Sequence, residues 1–370
     1  MSTPADFMRE ALDLAKQGIG MASPNPMVGA VIVKNGEVVG RGSYNWEGKK
    51  HAEILALEEA GSRAQGATMY VSLEPHAHQG RTPPCTDAII AAGIARVVTA
   101  SVDPNPRVSG AGIRQLTDAG IEVHIDMEHQ AEAEKLNEAF FHFMRTGRPL
   151  VLLKSASTLD GKIAAPEDNS GWITSERARA HVQLIRHAQD AIITGIGTAL
   201  ADDPQLTDRS GLRRARPLLR VVLDSTLRLP LESRLVSTAD NDLLVVATSA
   251  ASKERRQALE SRGVAVRIFD GPRGRVDIRD VISLLGAEKQ CIGVMIEAGS
   301  KVNWAALEAG AVDKVFLYYA PKILGGVQSL PLAGGTGKLR RSDAILLERT
   351  TLHSIPPDEF AVEAYIRRGA

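Results

Sequence analysis

The feature that most constrains the fold is an alternation of short apolar segments, typical of strands, with amphipathic or polar segments typical of helices. It runs along both halves of the chain and predicts α/β domains with largely parallel sheets. The glycine and proline of Arg145-Thr-Gly-Arg-Pro149 interrupt it. Because 370 residues exceed what one hydrophobic core usually supports, we predict two domains, residues 1–147 and residues 148–370.

Local signals give the order of elements in the first half. Thr3 and Pro4 are residue types of a helix N-cap and first turn, which predicts a helix over residues 4–17. Asn35-Gly36 between two apolar runs predicts a hairpin, and the polar segment 128–145 predicts one further helix. The first half is therefore expected to be a three-layer α/β domain.

The second half repeats the alternation as far as a strand over residues 313–319. This half shows no internal repeat and no low-complexity segment, so a second α/β domain is expected. The apolar stretch 315–319 is a candidate subunit contact, and we expect a homo-oligomer.

Composition narrows the class of function. Lys+Arg and Asp+Glu both number 44, so the formal net charge is zero and the basic stripe of a nucleic-acid-binding protein is missing. The two cysteines, Cys85 and Cys291, are far apart, which fits a reducing compartment better than a disulfide scaffold. No signal-peptide pattern and no apolar window of about 18 residues occurs. These features predict a soluble cytoplasmic protein with a small-molecule substrate, no nucleic-acid partner and no membrane partner.

Two short motifs carry metal chemistry. His51-Ala-Glu53 opens a predicted helix, and Cys85 opens another after two prolines, where the helix dipole favours a thiolate. Zinc takes imidazole and thiolate ligands and leaves a position for water. In zinc deaminases the His of an H-x-E element binds the metal and the Glu moves protons. Either motif alone is common by chance, and a buried Cys is more often a core residue, but together with the Glu74-Pro75 turn they predict a zinc site.

Several motifs together resemble the bifunctional deaminase–reductase family of riboflavin biosynthesis. They are Pro24-Asn-Pro-Met-Val-Gly29, His51-Ala-Glu53, Glu74-Pro75, Gly80-Arg-Thr-Pro-Pro-Cys85 and Asp103-Pro-Asn-Pro106. The resemblance implies a cytidine-deaminase-like first domain that binds Zn²⁺ and removes an amino group from a phosphoribosylaminopyrimidine. It also implies that Glu53 is the proton shuttle and that Asn25 helps to hold the pyrimidine.

One position departs from this family pattern. The family has a second cysteine ligand directly after Glu-Pro, whereas this chain has His76. A site made of His51, His76 and Cys85 is chemically possible because imidazole also binds zinc. Exchange of a thiolate for a neutral ring leaves the site one unit more positive. Zinc binding through His76 is therefore the leading hypothesis, and a reductase with a weakened or silent deaminase is the alternative.

The second half resembles the reductase domain of the same family. The motifs are Lys154-Ser-Ala-Ser-Thr-Leu-Asp-Gly161, Trp172-Ile-Thr174, Thr194-Gly-Ile-Gly-Thr198 and Glu297-Ala-Gly-Ser300. The resemblance implies a dihydrofolate-reductase-like fold that uses NADPH to convert the ribosyl group of the deaminated substrate to ribityl. From the residues alone, Gly195 and Gly197 let a ligand approach the backbone, although the third glycine of a dinucleotide fingerprint is missing.

The resemblance also implies roles for individual residues. The implied cofactor contacts are Ala156, Trp172, Thr198, Asp202, Ser225, Gly299 and Ser300. The implied substrate contacts are Ser170, Arg186, Leu206, Arg209 and Glu297, in which the arginines suit a phosphate. Lys154 and Asp202 are alternative groups for the proton that accompanies hydride transfer. A third hypothesis is a nucleic-acid-editing protein with the same deaminase fold, and the zero net charge of the chain disfavours it.

Overall fold

The computed structural model describes residues 3–44, 46, 48, 50–79, 82–105, 108–167 and 171–368. The chain forms two compact units, each with its own sheet. The first contains Met1–Gly147 together with Arg213–Arg216, and the second contains Arg148–Leu212 and Pro217–Ala370.

The first unit is built on a five-stranded sheet. Its order is β2-β1-β3-β4-β5, in which the pairs of β1 are antiparallel and the pairs β3–β4 and β4–β5 are parallel. Asn35 and Gly36 form the turn of the first hairpin with positive φ, as predicted. The strands are β1 (Gly29–Lys34), β2 (Glu37–Ser43), β3 (Thr68–Val71), β4 (Arg96–Thr99) and β5 (Glu122–Ile125).

Helices cover both faces of this sheet. Alternate residues of β1 enter separate apolar clusters, Ile32 in one and Val31 in the other, so the three-layer prediction is confirmed. The Thr3 side chain accepts from the Asp6 backbone and completes a capping box at the first helix. The helices are α1 (Pro4–Lys16), α2 (Ala52–Ala60), α3 (Cys85–Ala91), α4 (Ala111–Asp118), α5 (Gln130–Leu136) and α6 (Glu138–Thr146).

The prediction of a single helix over residues 128–145 is wrong, because the segment breaks at Asn137 into α5 and α6. The side-chain oxygen of Asn137 accepts from the Met27 amide at 2.7 Å, and its amide donates to the Met27 carbonyl at 2.9 Å. This buried contact orients Asn137 toward the loop before β1, which explains why local patterning missed the break.

The second unit contains a nine-stranded sheet of order β11-β10-β9-β8-β12-β6-β13-β16-β15. The pairs from β11 to β13 are parallel, and the pairs of β16 are antiparallel. The strands are β6 (Leu150–Thr158), β7 (Lys162–Ala164), β8 (Ala191–Gly195), β9 (Leu219–Leu223), β10 (Leu243–Ala247), β11 (Ala265–Ile268), β12 (Gly293–Ile296), β13 (Lys314–Ala320), β14 (Leu330–Pro331), β15 (Leu347–Ile355) and β16 (Glu359–Ile366). Strands β7 and β14 form a separate small ribbon.

Helices flank both faces of the large sheet, and two apolar clusters fill the layers between. The helices are α7 (Glu176–His187), α8 (Ile196–Asp202), α9 (Arg234–Ser237), α10 (Lys253–Glu260), α11 (Ile278–Ala287) and α12 (Ser300–Glu308). Residues 315–319, the candidate subunit contact, lie in β13 and pair along both edges with β6 and β16, so a subunit contact through them stays a prediction. Within the described residues, no helix is long and apolar enough to cross a membrane.

Candidate metal centre and reductase site

The first candidate site lies where α2 begins. His51 is the N-cap of α2 and Glu53 is in its first turn. The helix lies directly on β2, since a Cβ added to Gly40 would meet the Ala56 carbonyl at 2.1 Å and one on Gly42 would meet the Ala52 carbonyl at 1.9 Å. These glycines therefore fix the start of α2 close to the sheet.

Three potential metal ligands converge there. One donor atom each from His51, His76 and Cys85 lies within 4.8 Å of the others. The Sγ of Cys85 is 3.4 Å from His51 Nδ1, and the centroids of the two imidazole rings are 4.4 Å apart. The structure thus brings together the three residues that the sequence predicted as zinc ligands.

His76 occupies this cluster as a neutral ring. Burial, and then the neighbouring His51 and His78, lower the pKa of His76 to about 4. Its Nδ1 is buried and has no hydrogen-bond partner within the described part of the chain. A neutral imidazole with an unused nitrogen is the form that binds a metal.

Glu53 completes the cluster without taking part in the donor set. It is 3% exposed, and its Oε2 is buried without a partner among the described residues. Burial, and then this carboxylate, raise the pKa of the Cys85 thiol. A buried thiol, an unused imidazole nitrogen and an unused carboxylate oxygen are a costly combination without a cation.

These residues fit zinc. Zinc binds imidazole nitrogen at about 2.0–2.1 Å and thiolate sulfur at about 2.3 Å, so ligand atoms of one tetrahedral site lie roughly 3–4 Å apart. The 3.4 Å separation of Cys85 Sγ and His51 Nδ1 matches that spacing. Three protein donors leave the fourth position for water, as in catalytic zinc sites.

Asn25, the predicted pyrimidine contact, lies in the loop before β1. Its side-chain amide donates to the Tyr44 hydroxyl at 2.5 Å, and the Tyr44 ring lies edge-on to His51 with centroids 5.5 Å apart. The loop that carries Asn25 is fixed by the contact of Asn137 with Met27. Asn25 is therefore linked to the ring of His51 through one intervening side chain, that of Tyr44.

The sequence predictions gave no role to Glu74, which organises the loops around the site. Its buried carboxylate accepts from four backbone amides, those of Asp103 at 3.1 Å, Gly110 at 2.9 Å, Gly112 at 2.9 Å and Ile113 at 3.3 Å. Glu74 thereby joins the turn that carries His76 to the start of α4. The Glu-Pro turn was noted in the sequence, but the amides lie about 30 to 40 residues away, beyond any local pattern.

The second candidate site lies at the carboxyl ends of neighbouring parallel strands, where open α/β sheets bind ligands. Glu297 follows β12 and accepts from Lys154 Nζ at 2.8 Å and from Arg186 at 2.7 Å. Burial raises the pKa of Glu297, but the two cations outweigh burial and bring it to about 2. Three predicted residues thus form one ion-paired cluster.

Arg209 and Leu206 lie on the loop after α8. The Thr207 carbonyl accepts from Arg186 at 2.6 Å, and Leu206 is buried with a φ of 55°. Partial burial, and then Arg186 and Arg234, lower the pKa of the Arg209 guanidinium. This concentration of positive charge suits a phosphate, and Arg234 is a member that the sequence did not indicate.

Predicted cofactor residues meet where α8 and α12 begin. The Oγ1 of Thr198 would lie 3.3 Å from a Cβ on Gly299, the N-cap of α12. The Ser300 hydroxyl donates to the Pro331 carbonyl, so the backbone amides at this helix start are the groups suited to an anion. Asp202 is the exposed last residue of α8, and partial burial raises the pKa of its carboxyl.

The remaining predicted cofactor residues are spread around this edge. Ala156 lies on β6 opposite Tyr318 of β13, and the Ser225 carbonyl accepts from Thr248 after β10. Trp172 is 70% exposed with the Arg179 guanidinium 4.6 Å from its ring. Ser170 lies outside the described residues.

The expectation for Gly195 is corrected by the structure. A Cβ there would lie 2.7 Å from Val302 of α12, so its small size accommodates a helix rather than a ligand. A Cβ on Gly197 would meet nothing within 4 Å. The sequence predictions did not include Tyr318 in the site. Its side chain is 1% exposed, and its ring centroid lies 5.8 Å from Lys154 Nζ. Its hydroxyl forms a 2.8 Å hydrogen bond with Nδ1 of His181.

Family models match both units. Residues 1–101 match the cytidine and deoxycytidylate deaminase zinc-binding region, and residues 149–358 match the RibD C-terminal domain. Fold and sites together define a protein that joins a zinc deaminase to a reductase.

Relatives match along nearly the whole chain. The riboflavin biosynthesis protein RibD of Actinobacillus pleuropneumoniae is 44% identical over 356 residues, which cover 96% of this chain and 94% of that protein. The RibD of Escherichia coli K12 is 41% identical over 367 residues, with coverages of 95% and 96%. The chain therefore belongs to the RibD family of riboflavin biosynthesis proteins.

Solved structures agree with this assignment. Acinetobacter baumannii RibD has a TM-score of 0.86 at 36% identity and covers 98% of both chains. The diaminohydroxyphosphoribosylaminopyrimidine deaminase/5-amino-6-(5-phosphoribosylamino)uracil reductase of Thermotoga maritima has a TM-score of 0.82 at 36% identity, again with 98% of both chains. The cytidine-deaminase-like and dihydrofolate-reductase-like folds expected from the sequence are confirmed, as is the bifunctional enzyme with Zn²⁺ and NADPH as cofactors.

Proposed function

We propose that this chain deaminates 2,5-diamino-6-(5-phosphoribosylamino)pyrimidin-4-one and then reduces the ribosyl group of the product to ribityl. The observation that carries the first reaction is the convergence of His51, His76 and Cys85 beside the unused carboxylate oxygen of Glu53. The deaminase then occupies residues 1–147 and the reductase residues 148–370.

In the first reaction water replaces the 2-amino group, so one carbon–nitrogen bond breaks, one carbon–oxygen bond forms and ammonia leaves. His51 Nδ1, His76 and Cys85 Sγ would hold zinc, which when bound supplies the Lewis acidity that activates water. Glu53 takes a proton from the attacking water on its Oε2 and delivers it to the leaving amine. Asn25 and Tyr44 hold the pyrimidine against these groups.

In the second reaction the ribose ring opens to a C1=N bond, a hydride is added to C1 and a proton is added to the nitrogen bonded to C1. NADPH supplies the hydride when bound, with its phosphates at the backbone amides that follow Gly299. Arg186 and Arg209 bind the ribose phosphate, and Glu297 holds Arg186 and Lys154 in position. Lys154 and Asp202 are the alternative proton donors, since Lys154 is buried in the ion-paired cluster and partial burial raises the pKa of the Asp202 carboxyl.

We further propose a cytoplasmic, homo-oligomeric enzyme. Cys85 and Cys291 are buried and are not joined in a disulfide, which suits a reducing compartment. The outermost strand β15 exposes Leu347 and Leu352, the latter to 70%, and an exposed apolar edge strand favours pairing with another chain. Light scattering on the purified protein tests the oligomer, with Leu352→Lys expected to weaken it.

The deaminase is tested by ammonia release from the diaminopyrimidinone in the absence of NADPH. The expected outcome is ammonia release at an enzymatic rate, with 5-amino-6-(5-phosphoribosylamino)uracil, the uracil compound, as product. If no ammonia is released while NADPH is oxidised on the uracil compound, the protein is a reductase with a silent first domain. If neither reaction occurs, both assignments fail.

A further inference from the structure

The segment Thr82-Pro83 contacts both histidines of the candidate metal centre. The Thr82 hydroxyl lies 3.1 Å from Nε2 of His51, while Nδ1 of the same ring lies 3.4 Å from Cys85 Sγ. Burial, and then His51 and His78, lower the pKa of His76, and the backbone of Thr82 and Pro83 lies close enough to this ring to oppose that shift. One short segment therefore lies next to both imidazoles, and at His51 it lies on the nitrogen away from the thiol.

These contacts bear on which nitrogen of each ring carries the N–H and which carries the lone pair. A neutral imidazole carries one N–H donor and one lone pair, and the partner of the N–H decides which nitrogen keeps the lone pair. In His51 the tautomer with its N–H on Nε2 donates to the Thr82 hydroxyl and keeps its lone pair on Nδ1, next to Cys85 Sγ. In His76 the Nδ1 is the buried nitrogen without a partner among the described residues, so it is available to the metal.

We propose that Thr82 is a positioning residue for the metal centre, which holds His51 through its hydroxyl and His76 through its backbone in the tautomers that present Nδ1. This inference rests on the proposed zinc site and deepens it. A thiolate at position 76 would need no such partner, because sulfur has no tautomer to fix.

Zinc affinity measures this role directly, since partners of metal-bound histidines typically contribute about 10- to 100-fold in affinity. Affinity is determined by competition with a chromophoric chelator for the whole protein and for Thr82→Val and Thr82→Ser. We expect Thr82→Val to bind zinc about 10- to 100-fold more weakly, and Thr82→Ser, which keeps the hydroxyl, to stay close to the native affinity.

A matched control separates positioning from general stability. Thr99 is fully buried, and its hydroxyl donates to the Ser101 carbonyl at 3.0 Å. Thr99→Val is therefore expected to lower the unfolding temperature of the metal-free protein with little change in zinc affinity. Thr82→Val is expected to weaken zinc binding and to leave the unfolding temperature of the metal-free protein nearly unchanged. Equal zinc affinity in Thr82→Val and the native protein would overturn the proposal.

A second measurement needs no variant. Long-range ¹H–¹⁵N correlation spectra of the zinc-loaded protein assign the metal-bound nitrogen of each histidine, and Nδ1 is expected for both His51 and His76. Ligation through Nε2 in either ring contradicts the proposed division of nitrogens. If the native protein binds no zinc at all, the proposed zinc site fails, which is distinct from failure of the role of Thr82.

Discussion

The two sites of this protein satisfy their polar groups in opposite ways. In the first unit, His76 Nδ1 and Glu53 Oε2 are buried without partners among the described residues, beside the thiol of Cys85. In the second unit, Glu297 is already paired with Lys154 and Arg186. The carboxylate of the first site thus lacks a protein partner for one oxygen, whereas the carboxylate of the second is ion-paired before any ligand binds.

Because of this difference, the two sites depend on their cofactors in different ways. A buried donor set without protein partners gains its stabilisation from the metal, so the metal belongs to the site's structure. A paired cluster is rigid on its own and offers its remaining donors to a phosphate or a reacting group. Loss of zinc is therefore expected to affect the first site alone.

The largest expected effect is that of Glu53→Gln on ammonia release. Removal of the proton shuttle should lower the rate by about 10²- to 10⁴-fold, while NADPH oxidation on the deaminated compound stays unchanged. Glu58→Gln on the same helix is the control, because Glu58 is exposed and pairs only at the surface with Lys50. Equal rates for the two variants would remove Glu53 from the mechanism.

Glu297→Ala should have the next largest effect, this time on stability. It leaves the buried Lys154 and Arg186 without their shared carboxylate, and we expect a loss of about 3–5 kcal/mol in the free energy of unfolding. Glu260→Ala breaks an exposed pair with Arg256 and should cost no more than about 0.5 kcal/mol. Urea unfolding of the two variants measures the difference, and similar losses would show that the cluster is not a stabilising unit.

Arg209→Ala should weaken substrate binding in the reductase. Loss of a charged hydrogen bond to the phosphate predicts a rise in KM of roughly 10- to 100-fold with a smaller change in kcat. Steady-state kinetics with the phosphorylated compound and its dephosphorylated analogue check this. A similar KM change for both compounds would place Arg209 away from the phosphate.

A smaller effect concerns pH. Because the cations bring the pKa of Glu297 to about 2 from its ordinary value of 4.5, the ion pairs contribute fully above that ordinary value. The contribution is lost as pH falls from about 4.5 toward about 2. Urea unfolding at pH 6 and pH 3 should show a large difference between the native protein and Glu297→Gln at the higher pH and a reduced one at the lower. A constant difference would contradict the low pKa.

The smallest expected effect is that of His76→Cys. A second thiolate is a softer and negatively charged ligand, so zinc should leave the variant more slowly than the native protein when a chelator is added. Ammonia release is expected to change as well, because the charge of the site falls by one unit. If neither zinc loss nor turnover changed, the identity of the donor at position 76 would not matter.

The sequence indicated the first site well because its residues lie in short motifs at helix starts. His51, Glu53 and Cys85 were derived from the chemistry of the motifs, and His76 from its place in the family pattern. Contacts between distant segments had no such signal. Asn137 splits a helix through Met27, 110 residues away, and Glu74 binds amides up to 39 residues away.

The second site shows the same limit more strongly. Lys154 and Arg186 are 143 and 111 residues from Glu297, so only the family resemblance brought them together. Tyr318 lies in the apolar stretch 315–319, and composition alone did not show that this stretch is a central strand that passes beneath Lys154. The hairpin of β15 and β16 was not predicted either, since most of β15 is exposed and lacks a continuous apolar run.

The most direct test of the contrast between the two sites measures both activities on one preparation before and after zinc removal by a chelator. We predict that ammonia release is lost and returns when zinc is restored, while NADPH oxidation on the deaminated compound is unchanged throughout. Ammonia release that survives complete zinc removal, or a reductase that fails together with the deaminase, would contradict this account.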